Sequence, residues 1–521
     1  MAVRRITAWV LPDQLIEAHP AVNAAAAEVG VDRVRVVLVE SRAWLQRLPY
    51  HRKRQALILS AGRHHAENLR AEGFDVEVLA VGDTLDGLRD HVARHKPARI
   101  LTMESTEHAI ARRQRGDLGE KLGVPVDVLP NSMFLVAQHD PTPDPVPGRR
   151  YVMENFYRSM RKHFDLLMEP GGTPTGGVWN LDKENRRPLP RGQVFPPRPS
   201  FPPDAVTRGA MAEVEDWGVG VGSTSGFDLA VNRAQAASAF DAFLADRLPD
   251  FGPYEDAMSR DEGVLFHSVL SPYMNLGLLE PLAMARAAEA EYRAGRAPLN
   301  SVEGFVRQIV GWREYMYWQY RRQMPGLREA NSWGATRPMP AMFWGEPTDM
   351  ACVRAVVGRL LAEGYTHHIE RLMVVCNLCV LAGVDPAAVA DWFLTFYIDS
   401  HEWVVYPNVI GMGLNADGGV TATKPYISSA AYINKMGDFC KSCVYSHTDK
   451  VGPDACPFNV LYWNFLIEHE AQLRANPRLG PAVLGLRHLG AEVRVEVRAS
   501  AAGVLAKLAE SAAVYAPGGA P

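Results

Sequence analysis

The chain has little cysteine, no long apolar run and almost no net charge. Its 521 residues include 6 cysteines, too few for a disulfide framework in a chain of this size. No stretch of about 18 consecutive apolar residues occurs, which argues against a membrane-spanning helix. The formal charge is −4, so the molecule as a whole is no polycation, and nucleic-acid binding would have to rest on local patches. Neither G-x-G-x-x-G nor the P-loop lysine motif is found, so the common dinucleotide and triphosphate fingerprints are missing. There is no internal repeat. The N-terminal "MAVRRITAWVLPDQL" has one short apolar run and no small-residue cleavage site, and reads as a strand rather than a signal peptide. Together these absences suggest a chain of the reducing cytoplasm, where clustered cysteines hold metal more often than they form disulfides.

What is present suits a folded, multidomain chain. The apolar fraction is 47% and the charged fraction 22%, both ordinary for globular proteins. A chain this long needs two or three cores. Residues 1–135 alternate short apolar runs ("ITAWVLP", "VRVVLVE", "QALILSA", "FDVEVLA", "RILTMES", "VPVDVLP") with amphipathic stretches such as "AVNAAAAEVG" and "HHAENLRAEG". That rhythm predicts an α/β domain, a Rossmann-like parallel sheet with helices on both faces. Residues 136–230 read as an interdomain linker, with a proline-rich start, a basic helix in "YVMENFYRSMRKHFDLLM" and a long irregular stretch thereafter. That stretch carries Lys183, Arg186, Arg187 and Arg191 beside Trp179, which offers charge and a stacking surface; a plain solvated linker is the alternative. Residues 231–480 read as an all-α domain, its segments opening on Asp or Ser and closing on Gly. Residues 481–521 predict a C-terminal extension with one more helix, about 500–514, and a Gly/Pro tail.

The cysteines divide by setting. Cys376 and Cys379 lie inside the apolar "RLMVVCNLCVLAG" and read as core residues. Cys440, Cys443 and Cys456 share a polar segment in the pattern C-x2-C-x12-C followed by proline, which suits an iron–sulfur cluster. Zinc or free thiols are the alternatives. A fourth ligand is needed, and Cys352 is the one left over.

Several segments resemble the photolyase/cryptochrome family. "LFHSVLSPYMNLGLL" (265–279) is similar to the family's flavin-binding T-S-x-L-S-P-Y-L stretch, "GWREYMYW" (311–318) to its W-R-E-F segment, and "EGYTHHIERLMV" (363–374) to its G-W-x-H-x-x-x-R segment. "KPYISSAAYINKM", "DACPFNVLYW" and the four cysteines 352, 440, 443 and 456 resemble the iron–sulfur bacterial branch, also called prokaryotic (6-4) photolyases. The resemblance runs from about residue 5 to 480.

The resemblance implies an α/β antenna domain, a helical domain holding FAD, and a [4Fe–4S] cluster on Cys352, Cys440, Cys443 and Cys456. It implies 6,7-dimethyl-8-ribityllumazine as antenna pigment near Asp13 and Glu40, although Pro12 stands where relatives more often have Gly. Flavin contacts are expected from Tyr254, His267, Ser268, Leu270, Ser271, Gln308 and Arg313, with Arg371 and Asp399 near the isoalloxazine; a structural ion pair is the alternative for these last two. Gln308 lies four positions before Trp312 where other branches have three, a rotation of about 100° on an α-helix. Trp392 is expected as first electron relay, Trp344 on the outer route and Trp403 as an alternative first step, with Phe393 where the branch often has Tyr. The implied activity is light-driven repair of (6-4) photoproducts in ultraviolet-damaged DNA, by a monomer; the alternative is a blue-light photoreceptor. That chemistry moves a hydroxyl group between two bases and needs an acid, for which histidine is best matched near neutral pH. His368 is expected in that role and His367 is the next choice. Arg158, Arg161, Lys162, Lys183, Arg186 and Arg187 are expected to meet phosphates.

Overall fold

A computed structural model describes residues 5–144, 146, 150–476 and 483–512. The N-terminal domain is a five-stranded parallel sheet of β1 (Ile6–Val10), β2 (Val34–Ser41), β3 (Asp75–Val81), β4 (Arg99–Met103) and β5 (Val126–Leu129), in the order β3-β2-β1-β4-β5. The central strand β1 is buried along its whole length, as a parallel sheet covered on both faces requires.

One expected strand is not there. "QALILSA" (55–61) lies within the 20-residue helix Arg52–Ala71. The helix is wedged between the sheet and the rest of the chain. Its Ser60 hydroxyl meets that of Thr207 at 2.8 Å, its His64 meets Asp204 at 2.7 Å, and Arg54 donates to the Ser400 carbonyl at 3.1 Å. Buried on nearly all sides, it shows no polar face, so the periodicity that separates helix from strand is lost.

The segment expected as a linker holds more order than its composition suggests. The basic helix is present as Met153–Phe164. A second helix, Ala205–Trp217, was not expected; Asp204 caps it by accepting from the Thr207 N–H, and Gly218 closes it in the left-handed conformation at φ 66°. From Arg233 onward the described chain is helical with short connections. "DPAAVADWFLTFYIDSHEWV" is not one helix: Pro386–Phe396 ends, the chain turns through 397–401, and helix resumes at Glu402. Three π-helical turns interrupt the domain, at Arg307–Arg313, Arg371–Cys376 and Tyr406–Gly413. The last helix, Ala491–Ala512, starts earlier than expected and packs on Pro457–Glu468; the remainder of the expected tail lies outside the described residues.

The two domains are stitched by hydrogen bonds from His51 N to Thr395 O (2.7 Å), Arg233 to Leu15 O (2.8 Å) and His108 N to the Tyr320 hydroxyl (2.9 Å). Among the described residues no helix is long and apolar enough to cross a membrane.

Candidate active site and its neighbouring cavities

The helical domain encloses a cavity of about 280 Å³. All three π-helical turns form its walls: the first presents Gln308, Ile309, Trp312 and Arg313, the second Arg371, Leu372 and Cys376, the third Asn408, Val409 and Met412. A π turn holds one residue more than an α turn. The extra residue before Trp312 is absorbed in this way, and Gln308 faces the cavity with its Nε2 donating to Glu255 Oε1 at 2.7 Å. His267, Ser268, Leu270, Ser271, Gln308, Arg313, Arg371 and Asp399 all line the cavity. Tyr254 does not; its ring packs on Phe266 with centroids 5.5 Å apart. Cys376, expected in the core, is 3% exposed and also lines the cavity, whereas Cys379 packs in the core against Met339.

Arg371 and Asp399 form a two-pronged ion pair, Nη1–Oδ1 and Nη2–Oδ2 both 3.0 Å. The Ser271 hydroxyl donates to Asp399 at 2.6 Å, and Asn275 holds the Asp399 carbonyl at 2.8 Å. The pair is thus structural and cavity-facing at once. His267 Nε2 and Arg313 Nε and Nη2 are buried without a hydrogen-bond partner. An unmet buried donor costs roughly 1–3 kcal/mol, so this donor set fits a ligand rich in acceptors and negative charge, as FAD is.

Two expected acids part company here. His367 is fully buried and stacks on His267, centroids 4.4 Å apart and planes 8° apart. Burial, and then the neighbouring histidines, hold the pKa of both rings well below the usual value. His367 therefore does not reach the cavity as an acid. His368 lines it, with 43% of its side chain exposed and Nε2 3.9 Å from Asp256 Oδ1. The surrounding protein lowers its pKa and the Asp256 carboxylate opposes that shift. Behind this wall Glu255, buried and joined to Asn185 and Gln308, has its pKa pushed up to about 8 by burial and by Asp256.

An aromatic row runs to the cavity. Trp344 meets Phe396 edge-on (5.4 Å), Phe396 stacks on Trp392 (4.9 Å), and Trp392 meets Phe393 (5.2 Å), which lines the cavity. Trp392 is fully buried, its indole N–H donating to Phe343 O at 2.9 Å. Trp403 lines the cavity directly. Tyr397, which the sequence reading missed, also lines it, stacks on Phe393 at 5.1 Å and stands 6.1 Å from Trp392. Its spacing of four from Phe393 was the available signal.

Cys352, Cys440, Cys443 and Cys456 line one small apolar cavity with Met350, Ile433, Phe439 and Phe458. Cys352 opens the helix Ala351–Glu363 and Cys456 the helix Pro457–Glu468. The loop between the last two cysteines is pinched by Ser446 N to Asp454 O (2.7 Å) and Cys456 N to Ser446 O (3.0 Å). Burial first, and then the other thiols, push Cys352 well up; burial raises Cys440 to about 11 and Cys456 to about 12. Four cysteines around one apolar cavity suit a cation that draws off their protons.

The α/β domain has its own cavity of about 250 Å³. Asp13 lines it, 2% exposed, with its pKa raised to about 6 by burial and then by Glu107. Trp9 Nε1 is buried without a partner on the same wall. Glu40 is not part of this wall: its carboxylate accepts two hydrogen bonds from Arg63, both 2.8 Å. It lines a small adjoining cavity with Pro12, Val39, Ser41 and Trp44, four residues that also line the larger one. The segment 399–402 runs between the cavities, with Asp399 on one and His401 3.7 Å from Asp13 on the other.

The expected phosphate contacts also divide. Arg161 is 1% exposed and donates to the carbonyls of Leu166 (3.1 Å) and Leu167 (2.6 Å), so it closes the end of its own helix. Arg158 is paired with Glu154 at 2.9 Å and is 42% exposed. Lys162, Lys183, Arg186 and Arg187 are exposed. Arg186 stands 3.8 Å from Asp256, which puts its loop beside His368 at the cavity mouth.

An α/β domain and a helical domain, each holding a cavity, define a two-domain protein with two candidate ligand sites. Residues 8–229 match the family model described as deoxyribodipyrimidine photo-lyase-related protein. Over 510 residues, 96% of this chain and 99% of the relative, the chain is 40% identical to a protein named (6-4) photolyase from Agrobacterium fabrum. Among solved structures, a bacterial class III photolyase from Agrobacterium tumefaciens is similar with a TM-score of 0.55 at 19% identity, covering 84% of this chain and 87% of that one. A cryptochrome from Synechocystis sp. gives the same TM-score at 14% identity, over 84% and 89%. The chain belongs to the photolyase/cryptochrome family, whose members use FAD.

Proposed function

We propose that this chain is a DNA-repair lyase that reverses (6-4) photoproducts under blue light. The observation that carries the reading is the position of His368: a partly exposed imidazole on the wall of the large cavity, with a carboxylate behind it. Full-length similarity to a protein named (6-4) photolyase supports it.

Reduced FAD, when bound and excited, supplies the electron that starts the reversal. His267, Ser268, Leu270 and Ser271 hold the cofactor, with Arg313 and Gln308 on the opposite wall. Arg371 and Ser271 hold the Asp399 carboxylate at the cavity wall, where it would face the bound cofactor. His368 gives a proton to the lesion and takes it back as the hydroxyl group returns to its base, so the acid is regenerated each cycle. A lesion reaches this cavity only when flipped out of the duplex; Arg158, Lys162, Lys183, Arg186 and Arg187 hold the flanking phosphates.

Cys352, Cys440, Cys443 and Cys456 hold a [4Fe–4S] cluster, a group for which four thiolates and a following proline are suited. The α/β cavity holds 6,7-dimethyl-8-ribityllumazine, with Asp13 and the Trp9 N–H among its polar contacts. The test is a synthetic oligonucleotide with a single (6-4) lesion, incubated with the reduced holoprotein under blue light and analysed by chromatography. Restored thymines support the proposal. Normal flavin photoreduction without any repair overturns it in favour of a photoreceptor.

A further inference from the structure

We propose that Tyr432 is a positioning residue for His368, acting through Asp256, and that the thiol-bearing loop is thereby joined to the proton donor. The inference rests on the reading of His368 as the acid.

The Tyr432 hydroxyl donates to Asp256 Oδ2 at 3.0 Å. The other oxygen of that carboxylate, Oδ1, is the one 3.9 Å from His368 Nε2. With Oδ2 held by the phenol, Oδ1 is left pointing at His368, so the phenol sets which way the negative charge points. Burial and Asp256 raise the pKa of Tyr432, and the hydroxyl stays protonated and donating. Arg186, at 3.8 Å, and the neighbouring Glu255 carboxyl also face Asp256. His368 in turn faces Asp256 and Asp182, which favour its cation, and Arg371, which opposes it, with His267 edge-on at 5.3 Å and His367 at 6.4 Å.

The helix bearing Tyr432, Ala430–Met436, is clamped from both sides. Its Met436 carbonyl accepts from Met258 N at 2.8 Å, two residues after Asp256. Its first N–H donates to Asn459 Oδ1 at 2.9 Å, three residues after Cys456. Beyond the helix, Asp438 accepts from Arg260 N at 2.7 Å, and Ser442, between Cys440 and Cys443, meets Arg260 Nη1 at 2.9 Å. The strip 256–260 and the strip 430–442 are thus joined by several hydrogen bonds. A disturbance at the thiols reaches Asp256, and through it His368, without passing through the flavin cavity.

The experiment follows the His368 imidazole by nuclear magnetic resonance in the dark holoprotein across pH. It compares wild type, Tyr432→Phe, Asp256→Asn and the double variant, with FAD and iron content measured on each. Removing the Asp256 charge lowers the His368 titration midpoint by roughly 1 unit. Tyr432→Phe lowers it by less, and the double variant falls no further than Asp256→Asn alone, because both act through one carboxylate. The pH profile of repair moves to lower pH in the same order. A Tyr432→Phe midpoint equal to wild type beside a shifted Asp256→Asn, or simple addition in the double variant, overturns the proposal. His368→Asn that still repairs would overturn the acid assignment instead, while the titration still decides the link to Tyr432.

Discussion

The imidazoles of His267 and His367 lie parallel with centroids 4.4 Å apart, and both are kept neutral by burial. Adjacent His368 leaves that stack for the cavity. One histidine of the "THHIER" pair is therefore packed behind the cavity wall and the other opens to the cavity. His368→Asn should retain FAD and photoreduction and lose repair by roughly 10²–10⁴-fold, the usual worth of a positioned acid. His367→Asn should instead lower the melting temperature, since it places an amide in a fully buried slot. Absorption spectra, a repair assay and a thermal melt separate the two.

The cysteines make a sharper division. Cys352→Ser or Cys456→Ser should lose most of the iron and sulfide, together with soluble protein, because removing one of the four thiols that line the cavity leaves three. Cys379→Ala should keep its iron at a stability cost of about 1 kcal/mol. Cys376→Ala should also keep iron but weaken FAD retention, since its thiol lines the large cavity. Iron analysis and flavin content on the same preparations decide this; full iron in Cys352→Ser would remove that residue from the ligand set.

Much of this was legible in the sequence, and the failures have physical causes. The strand–helix rhythm of the first domain could be read because parallel strands are short apolar runs. "QALILSA" was misread because a helix buried all round carries the same signal. Arg161 was misassigned although its helix gave warning: it shares the apolar side with Tyr157, Met160 and Phe164, while Arg158 and Lys162 lie on the polar side. The helix Ala205–Trp217 likewise announced itself by Asp204 and Gly218. The orientation of Gln308 could not be read at all, because a π turn is set by packing rather than by local spacing. Cys352 lines one cavity with cysteines far along the chain; elimination left it as the remaining candidate, and the family resemblance placed it in the set.

Glu255 makes stability depend on pH. Its folded pKa is raised from 4.5 to about 8 by burial and then by Asp256. Between those values the unfolded chain is ionised and the folded chain holds the proton, so folding takes up a proton and stability falls as pH rises through this window. Above about pH 8 the dependence on this group ends. Glu255→Gln mimics the protonated form and should flatten the fall. Melting temperatures at pH 5, 7 and 9 test this; equal slopes in both proteins would remove Glu255 from the account.

DNA affinity should fall steeply with salt despite the acidic net charge, because clustered contacts set the slope. Lys183→Ala and Arg187→Ala should each lower the salt slope by about 1. Arg161→Ala should leave the slope unchanged and cost stability instead, since its guanidinium is spent on the Leu166 and Leu167 carbonyls. Filter or fluorescence titrations at several salt concentrations, with a thermal melt, distinguish these outcomes.

Photoreduction of the flavin should run along the row Trp344–Phe396–Trp392–Phe393. The two phenylalanines are hard to oxidise, so they serve as packing between stations, and Trp392 must pass its electron over or around Phe393. Tyr397 offers an oxidisable ring at that point, but Arg371 holds its guanidinium 4.0 Å over that ring, which disfavours a positive hole there. Trp392 is therefore the station that matters, with Tyr397 a neighbour in contact rather than a stop. Trp392→Phe should strongly slow blue-light reduction in the presence of a thiol reductant while FAD stays bound, and Trp344→Phe should slow it at the outer step. Tyr397→Phe keeps the ring stack and loses only the bond to Thr366 Oγ1 (2.8 Å), so it should reduce at nearly the wild-type rate. Stopped illumination with absorbance readout measures all three. Unchanged reduction in Trp392→Phe would transfer the route to Trp403, which lines the cavity directly.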